Sequence, residues 1–162
     1  TLVEKCAEGA AAELSRMRAV EGETIRDDLS KLIGNIDSAL SKAEARAPMV
    51  VEDYSARLKT RIDELLDGVA IDEARLANEG AFFADKADVN EEISRLHSHI
   101  AQFRAALDAD GQQGRNLDFL SQEIGREINT MGSKSNDTEL TNIVIYMKNE
   151  LEKIKEQIRN VE

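Results

Sequence analysis

The chain has 162 residues, of which 33% are charged and 4% aromatic, with one proline and nine glycines. This composition is typical of long helices and argues against a β-sandwich or barrel. A single cysteine excludes an internal disulfide, and no apolar run approaches the ~20 residues that a membrane span needs. No signal peptide is recognisable at Thr1, so together with the unpaired Cys6 the sequence predicts a cytoplasmic location without membrane contact.

The net charge of −11 bears on the choice of partner. A protein surface that holds nucleic acid is usually basic, because contacts to phosphate supply much of the affinity. If this chain binds RNA, it does so through a local cluster of Arg and Lys, through metal ions, or through another domain. The alternative is that the chain binds no RNA by itself.

The first part of the chain, residues 1–47, is predicted to form one long helix. Its second half carries apolar residues three and four positions apart, which is the spacing of one helix face: Ile25, Leu29, Leu32, Ile36 and Leu40. Pro48 predicts a break, because proline disfavours helical geometry at the preceding Ala47.

Residues 48–109 are predicted to form a helical arm with helices over 50–66, 72–86 and 89–108. Nothing between residues 84 and 90 prevents the last two from being continuous. Asp88 resembles an N-cap for the last of them. That helix carries a heptad seam of alternating four- and three-residue spacing: Val89, Ile93, Leu96, Ile100, Phe103 and Leu107.

Residues 110–162 are predicted to form a loop, a motif helix that begins at Gly114 and ends near Met131, and a terminal helix capped by Asn136 or Asp137. The terminal helix repeats the heptad seam: Leu140, Val144, Met147, Leu151, Ile154, Ile158 and Val161. Both seams call for a long antiparallel or intermolecular partner. The sequence therefore predicts an all-α fold in which long amphipathic helices form elongated antiparallel hairpins or a coiled-coil bundle, and it predicts self-association.

The motif helix has two distinct faces. Its apolar stripe consists of Leu117, Leu120, Ile124, Ile128 and Met131. The opposite face carries groups suited to directed hydrogen bonds instead of the usual Lys and Glu: Arg115, Asp118, Phe119, Gln122, Arg126 and Asn129. Gly125 lies in mid-helix, where glycine costs about 1 kcal/mol relative to alanine. This cost indicates that another backbone or a ligand approaches closely.

One candidate site is the polar stripe formed by Asp88, Glu92, Arg95 and His99, at spacings of four, three and four. Carboxylates and an imidazole are suitable ligands for Mn²⁺, Zn²⁺ or Mg²⁺. His99 is alternatively a general base. The structural alternative is a Glu–Arg salt bridge on a helix surface with His99 at an interface. The second histidine, His97, lies away from this stripe and is expected to be solvated.

Two further groups lie on the motif helix. Glu123 and Glu127, one turn apart and supported by Asp118, could share a divalent cation; alternatively they are solvated acids bridged to Arg126.

The other group on the motif helix is suited to phosphate and base edges: Arg115, Gln122, Arg126, Asn129 and Lys134. Phe119 could stack on an unpaired base. The alternative for this group is an interhelical hydrogen-bond network, with Phe119 in packing.

Several long motifs resemble the C-terminal domain of the YicC/YloC family. The main one is GRNLDFLSQEIGREINTMGSKSND at residues 114–137, followed by a helix that ends EQIRNVE. The family pattern is close to GR-x-LDF-x-x-QE-x-x-RE-x-NT-x-x-SKS with a terminal EQ-x-QN-x-E, from which Arg159 departs. Further matches are MRAVEG at 17–22, DEARLANE at 72–79 and ADKADVNEEISRLHSHI at 84–100. The resemblance thus extends over nearly the whole chain, residues 1–162.

The resemblance implies a metal-dependent endoribonuclease that cleaves phosphodiester bonds in RNA, either single-stranded or small structured RNA. Members of the family were long called stress-induced proteins, form hexamers and carry a further N-terminal domain, which this chain lacks. The expected cofactor is Mn²⁺ or Mg²⁺, ahead of Zn²⁺. The expected ligands or acid–base groups are Glu92, His99, Glu123 and Glu127, with Arg115, Gln122, Arg126, Asn129 and Lys134 on the RNA. The competing hypothesis is a non-catalytic helical module for oligomerisation or RNA clamping.

Overall fold

A computed structural model describes residues 1–66, 72–109 and 111–159, which form helices and contain no strand. The helices are α1 (Leu2–Leu66), α2 (Glu73–Ala87), α3 (Asn90–Leu107), α4 (Gly114–Lys134) and α5 (Thr138–Ile158). The predicted all-α class is confirmed. The motif helix is α4, and it continues one turn beyond its predicted end near Met131.

The predicted break at Pro48 is wrong, because α1 continues through this residue for 65 residues in all. Proline removes one backbone hydrogen bond, but Pro48 is exposed, so the freed carbonyl group is accessible to water. Core residues hold the helix on both sides of the proline, since Ala43 and Val50 are buried. Arg46 and Asp53 also form an ion pair across it. Tertiary packing therefore outweighs the local preference.

The core is a bundle in which α1 packs against α3 and α5, and α4 packs against both of these shorter helices. Both heptad seams are buried within it, apart from the half-buried Leu107. Val161, predicted as a seam residue, lies outside the described residues. Of the two kinds of partner predicted for the seams, helices of the same chain provide the cover in the described residues, and self-association stays a prediction.

A helical arm extends from the bundle, where α2 packs along the second half of α1. The rings of Tyr54 and Phe83 stack with centroids 3.7 Å apart and planes 6° apart. Helices α2 and α3 are separate, because Asp88 adopts an extended backbone conformation between them. The Asp88 carboxylate accepts a hydrogen bond from the backbone N–H of Asn90, at the start of α3.

The first 24 residues form an exposed extension of α1. Its apolar side chains at Leu14, Met17 and Val20 are each more than half exposed. Along the described segments, no helix combines the length and the apolar character that crossing a membrane requires.

Candidate functional site

Helix α4 has the two faces that its sequence predicts. The apolar stripe is at most 3% exposed at every position. The side chains of the opposite face are exposed, including Arg115, Gln122, Arg126 and Asn129. Phe119 is 58% exposed, so it does not pack in the core and its ring is accessible. The polar face of α4 is therefore available to a ligand over nearly its full length.

Two glycines allow α5 to lie close to the other side of α4. A Cβ atom at Gly125 would lie 3.1 Å from Cδ2 of Leu151, and one at Gly132 would lie 3.0 Å from Cγ1 of Val144. Both distances are tighter than ordinary van der Waals contact. The close approach predicted at Gly125 is thus made by the side chains of α5.

A buried ion pair joins the start of α3 to the end of α4. The Nζ atom of Lys134 lies 2.8 Å from Oε1 of Glu92 and donates a hydrogen bond to Oε2 at 3.0 Å. Glu92 is only 4% exposed, so its charge has little access to water. The hydrogen bond to Glu92 raises the pKa of Lys134, against the opposing effect of desolvation. Lys134, predicted to bind phosphate, therefore neutralises a buried carboxylate.

A second pair crosses the same two helices nearer their middle. Nη1 of Arg95 donates to Oε1 of Glu127 at 3.4 Å, and Arg95 also pairs with Glu91 on its own helix. Glu127 is 4% exposed. The pKa of Arg95 is raised, first by its hydrogen bond to Glu127 and then by the charge of Glu91. The predicted salt bridging on α3 is present between Arg95 and Glu91, and a longer contact connects Arg95 to Glu127 on α4.

His99 follows Arg95 by one turn of α3, and it is half-buried. Its Nδ1 atom is buried and has no hydrogen-bond partner among the described residues. An unsatisfied buried nitrogen is costly, so it indicates a missing ligand or proton partner. The two ion pairs show that α3 and α4 are antiparallel. One turn beyond the second pair, the same register places His99 of α3 opposite Glu123 of α4. The Glu123 side chain is 20% exposed and accepts from Arg126 at 3.3 Å.

The structure thus places the four predicted ligands along one α3–α4 interface without gathering them around one point. The described segments contain no group of three or more His, Cys, Asp or Glu side chains close enough to hold a metal ion. Two of the carboxylates, Glu92 and Glu127, already face cationic side chains. The donor chemistry, two buried carboxylates and an imidazole nitrogen without a partner, suits a divalent cation.

The predicted RNA-binding residues fall into two groups. Gln122 donates to Asp118 at 2.9 Å, and Arg126 and Lys134 are paired with the acids described above. Arg115 and Asn129 are exposed, and neither has a hydrogen-bond or ion-pair partner in the described part of the chain. His97 is 43% exposed and faces Asp37 and Glu44 on α1. It lies away from the α3–α4 pairs, as predicted.

Arg46 has a role that was not among the sequence predictions. Its guanidinium binds both carboxylate oxygens of Asp137, at 3.1 and 2.7 Å. Asp137 also caps α5 by accepting from the N–H of Leu140 at 2.8 Å. Arg46 is the largest cause that lowers the pKa of Asp137 to about 2. Local sequence was sufficient to predict Asp137 as a helix cap. It was not sufficient to predict that Asp137 pairs with Arg46, which is 91 residues away.

The fold defines a helical module in which α3 and α4 are joined by ion pairs of two buried carboxylates, and α3 also carries His99. Comparison with known proteins gives its family. The family described as "Endoribonuclease YicC-like, C-terminal" matches residues 43–162, and the chain belongs to this family.

Two curated relatives are similar over most of this chain. One is "Probable endoribonuclease YicC" of Clostridioides difficile (strain 630), 44% identical over 163 residues, which cover 100% of this chain and 56% of the relative. The other has the same name and comes from Haemophilus influenzae (strain ATCC 51907 / DSM 11121 / KW20 / Rd). It is 33% identical over 146 residues, which cover 90% of this chain and 50% of the relative. The chain therefore spans about half the length of these relatives.

Proposed function

We propose that this chain is part of a metal-dependent endoribonuclease and contributes acid–base or metal-binding groups from the α3–α4 interface. The names of the relatives support RNA cleavage as the reaction. The observation that carries the assignment to this interface is the buried Nδ1 of His99, which has no hydrogen-bond partner among the described residues. Two buried glutamates lie on the same pair of helices, Glu92 on α3 and Glu127 on α4.

Each of the four residues has a distinct environment and so a distinct proposed contribution. Glu92 and Glu127 are buried carboxyl groups, and the attraction between a carboxylate and a cation is stronger where water is excluded. Glu123 is partly exposed at the edge of the interface, where it is accessible to a substrate. His99 would ligate a metal through its nitrogen or accept a proton from the attacking hydroxyl group or water. Both roles of His99 stay open.

A divalent ion, Mn²⁺ or Mg²⁺ ahead of Zn²⁺, would supply a Lewis acid and a bound water of lowered pKa. Glu92, His99, Glu123 and Glu127 are the groups that would hold it. Because Glu92 is already paired with Lys134, a cation that binds Glu92 would compete with Lys134. A displaced Lys134 would then be free to contact a phosphate of the RNA, the role predicted for it from the sequence. On the polar face of α4, Arg115 and Arg126 would add phosphate contacts, and Gln122 and Asn129 are suited to base edges.

The competing function is a helical module for oligomerisation or RNA clamping without catalysis. One observation favours it: the described residues gather no three-ligand metal group. On that hypothesis the α3–α4 ion pairs serve to hold the bundle together.

The experiment that separates the two functions measures cleavage of a labelled RNA by the full-length protein, with Mn²⁺ and with a chelator. We expect cleavage that requires the metal and is lost in His99→Ala. The matched control is His97→Ala, which removes an imidazole two residues away on the same helix, on the side that faces α1. Helicity measured by circular dichroism should be unchanged in both variants. Cleavage at the wild-type rate by His99→Ala would refute this assignment of the site.

A further inference from the structure

A cavity of about 740 Å³ lies at the end of the bundle far from the Glu92–Lys134 pair. Its walls come from residues 18–29 of α1, the end of α3, the start of α4 and the end of α5. A volume of this size is within the range of small-molecule sites, about 300–1,000 Å³. None of the residues assigned above to RNA or metal lines it.

The polar wall of this cavity is basic, although the whole chain is acidic. Arg18, Arg26 and Arg159 line it, and the one carboxylate among the described lining residues is Glu21. In the whole chain, 32 acidic residues outnumber 21 basic ones. The cavity wall has the opposite balance of charge, with more basic than acidic residues. Arginine is suited to phosphate because its planar guanidinium donates two parallel hydrogen bonds.

These arginines form few direct contacts with acidic side chains, although, after the hydrogen bond from Lys155, the charge of Arg159 is one of the causes that lower the pKa of Glu152. Neither Arg18 nor Arg159 forms a hydrogen bond or ion pair through its side chain in the described segments. Arg26 is 3.7 Å from the adjacent Asp27, which is a long ion-pair distance. By contrast, Arg46, Arg95 and Arg126 all bind carboxylates. Basic residues near helix C-termini can serve the helix dipole, and Arg159 is at such an end. Arg18 and Arg26 lie within α1, so that explanation does not apply to them.

Part of the remaining wall is apolar. Ile25 and Leu29 of α1, Leu107 of α3 and Leu117 of α4 contribute to it. Such a surface suits the flat face of a nucleobase, which gains energy from stacking or apolar contact once it is removed from water. The amide of Gln157 also lines the cavity and could donate to or accept from a base edge. Basic side chains and an apolar surface thus face the same half-open cavity.

We propose that this cavity holds one nucleotide of a single-stranded RNA, with the phosphate at Arg18 and Arg159 and the base against the apolar wall. A base inside a duplex is stacked and cannot enter, so the strand is single at this point. Leu107 is eight residues from His99 on α3, or about 12 Å along the helix. The cavity is therefore an anchor for the RNA a few nucleotides from the proposed site of cleavage. This inference rests on the proposed function.

The first test measures binding of a fluorescein-labelled oligouridylate to the full-length protein by anisotropy, without divalent metal, over a range of NaCl concentrations. Arg18→Gln and Arg159→Gln should each weaken binding about tenfold, the loss of one charged hydrogen-bonding group. Each should also reduce the salt dependence by about one counterion. The matched control is Arg16→Gln, which removes the same charge from an exposed arginine that pairs with Glu13. Equal effects at Arg16 and Arg18 would overturn the proposal.

The second test fills the cavity without changing charge. A Cβ atom at Gly22, which lines the cavity, would have nothing within 4 Å, so Gly22→Met adds volume without a backbone clash. We expect weaker RNA binding with unchanged helicity. Gly9→Met is the matched control, because Gly9 lies on the exposed part of the same helix and also has open space around it. Unchanged RNA binding by Gly22→Met would overturn the proposal.

Cleavage kinetics distinguish this inference from the function on which it rests. Arg18→Gln should raise KM for RNA about tenfold and retain kcat, whereas His99→Ala should lose kcat. If the wild-type protein neither binds nor cleaves RNA, both proposals fail. If it cleaves RNA and Arg18→Gln has the KM of Arg16→Gln, the anchor alone is refuted.

Discussion

The ion pair between Arg46 and Asp137 gives a prediction whose size and pH dependence follow from the structure. Asp137 is 6% exposed and lies three residues after Lys134, so it fixes the end of α4 and the start of α5 against α1. Its pKa is lowered from the ordinary 3.8 to about 2, chiefly by Arg46. One pKa unit corresponds to about 1.4 kcal/mol, so the charged carboxylate stabilises the fold by about 2 kcal/mol.

The perturbation is Asp137→Asn. Asparagine caps a helix about as well as aspartate, and Arg46 keeps its ion pair with Asp53, so the substitution removes mainly the charge. At about pH 7 the free energy of unfolding should fall by about 2 kcal/mol. The folded-state pKa is the lower one, so this stabilisation is complete above about pH 4 and is lost as pH falls towards 2. About half of it should remain at about pH 3.

The assay is urea unfolding followed by circular dichroism, with wild type and variant compared at each pH. Asp53→Asn is the control, because it removes a more exposed carboxylate of Arg46: the side chain of Asp53 is 46% exposed. Arg46 also lies 3.4 Å from Glu139, which stays in both variants. An exposed pair contributes about 0–1 kcal/mol, so its loss should be smaller. The reasoning is refuted if the two variants lose equal stability at about pH 7, or if the Asp137→Asn loss is the same at about pH 3.

Three further predictions concern α4. Glu123→Gln in the full-length protein should slow metal-dependent RNA cleavage by at least about tenfold, since mutation of even an outer-shell partner of a metal lowers metal affinity or activity about 10- to 100-fold. If the variant cleaves RNA at the wild-type rate in a gel assay, Glu123 is not part of the site. Arg126→Ala should weaken RNA binding and reduce its salt dependence by about one counterion, measured by anisotropy; an unchanged slope would mean that Arg126 contacts no phosphate. Gly125→Val should destabilise the fold by about 1–3 kcal/mol through overpacking against Leu151. Gly34→Val is the control and should not overpack, because Gly34 has open space around it. Equal urea midpoints for the two variants would contradict the close approach of α5.

Local spacing in the sequence was sufficient to predict α3, α4 and α5 and their apolar faces. The apolar residues of α4 and both heptad seams recur at the helical period, and the structure buries nearly all of them. The cap at Asp137 was also among the predictions, because Asn or Asp before an apolar helical run satisfies free backbone N–H groups. These features depend on residues within one or two turns of each other, which is the range over which sequence spacing is informative.

Tertiary structure alone decided which faces meet. Glu92 pairs with Lys134 across 42 residues, and Arg95 pairs with Glu127 across 32. Periodicity places each of these residues on a polar face but contains no information on the register between two helices. The continuation of α1 through Pro48 likewise depends on burial on both sides of the proline, which offsets a local cost that the sequence shows by itself. The seams were predicted to need an antiparallel or an intermolecular partner. The sequence could not decide between the two, because the positions of the helices that cover the seams are set by packing.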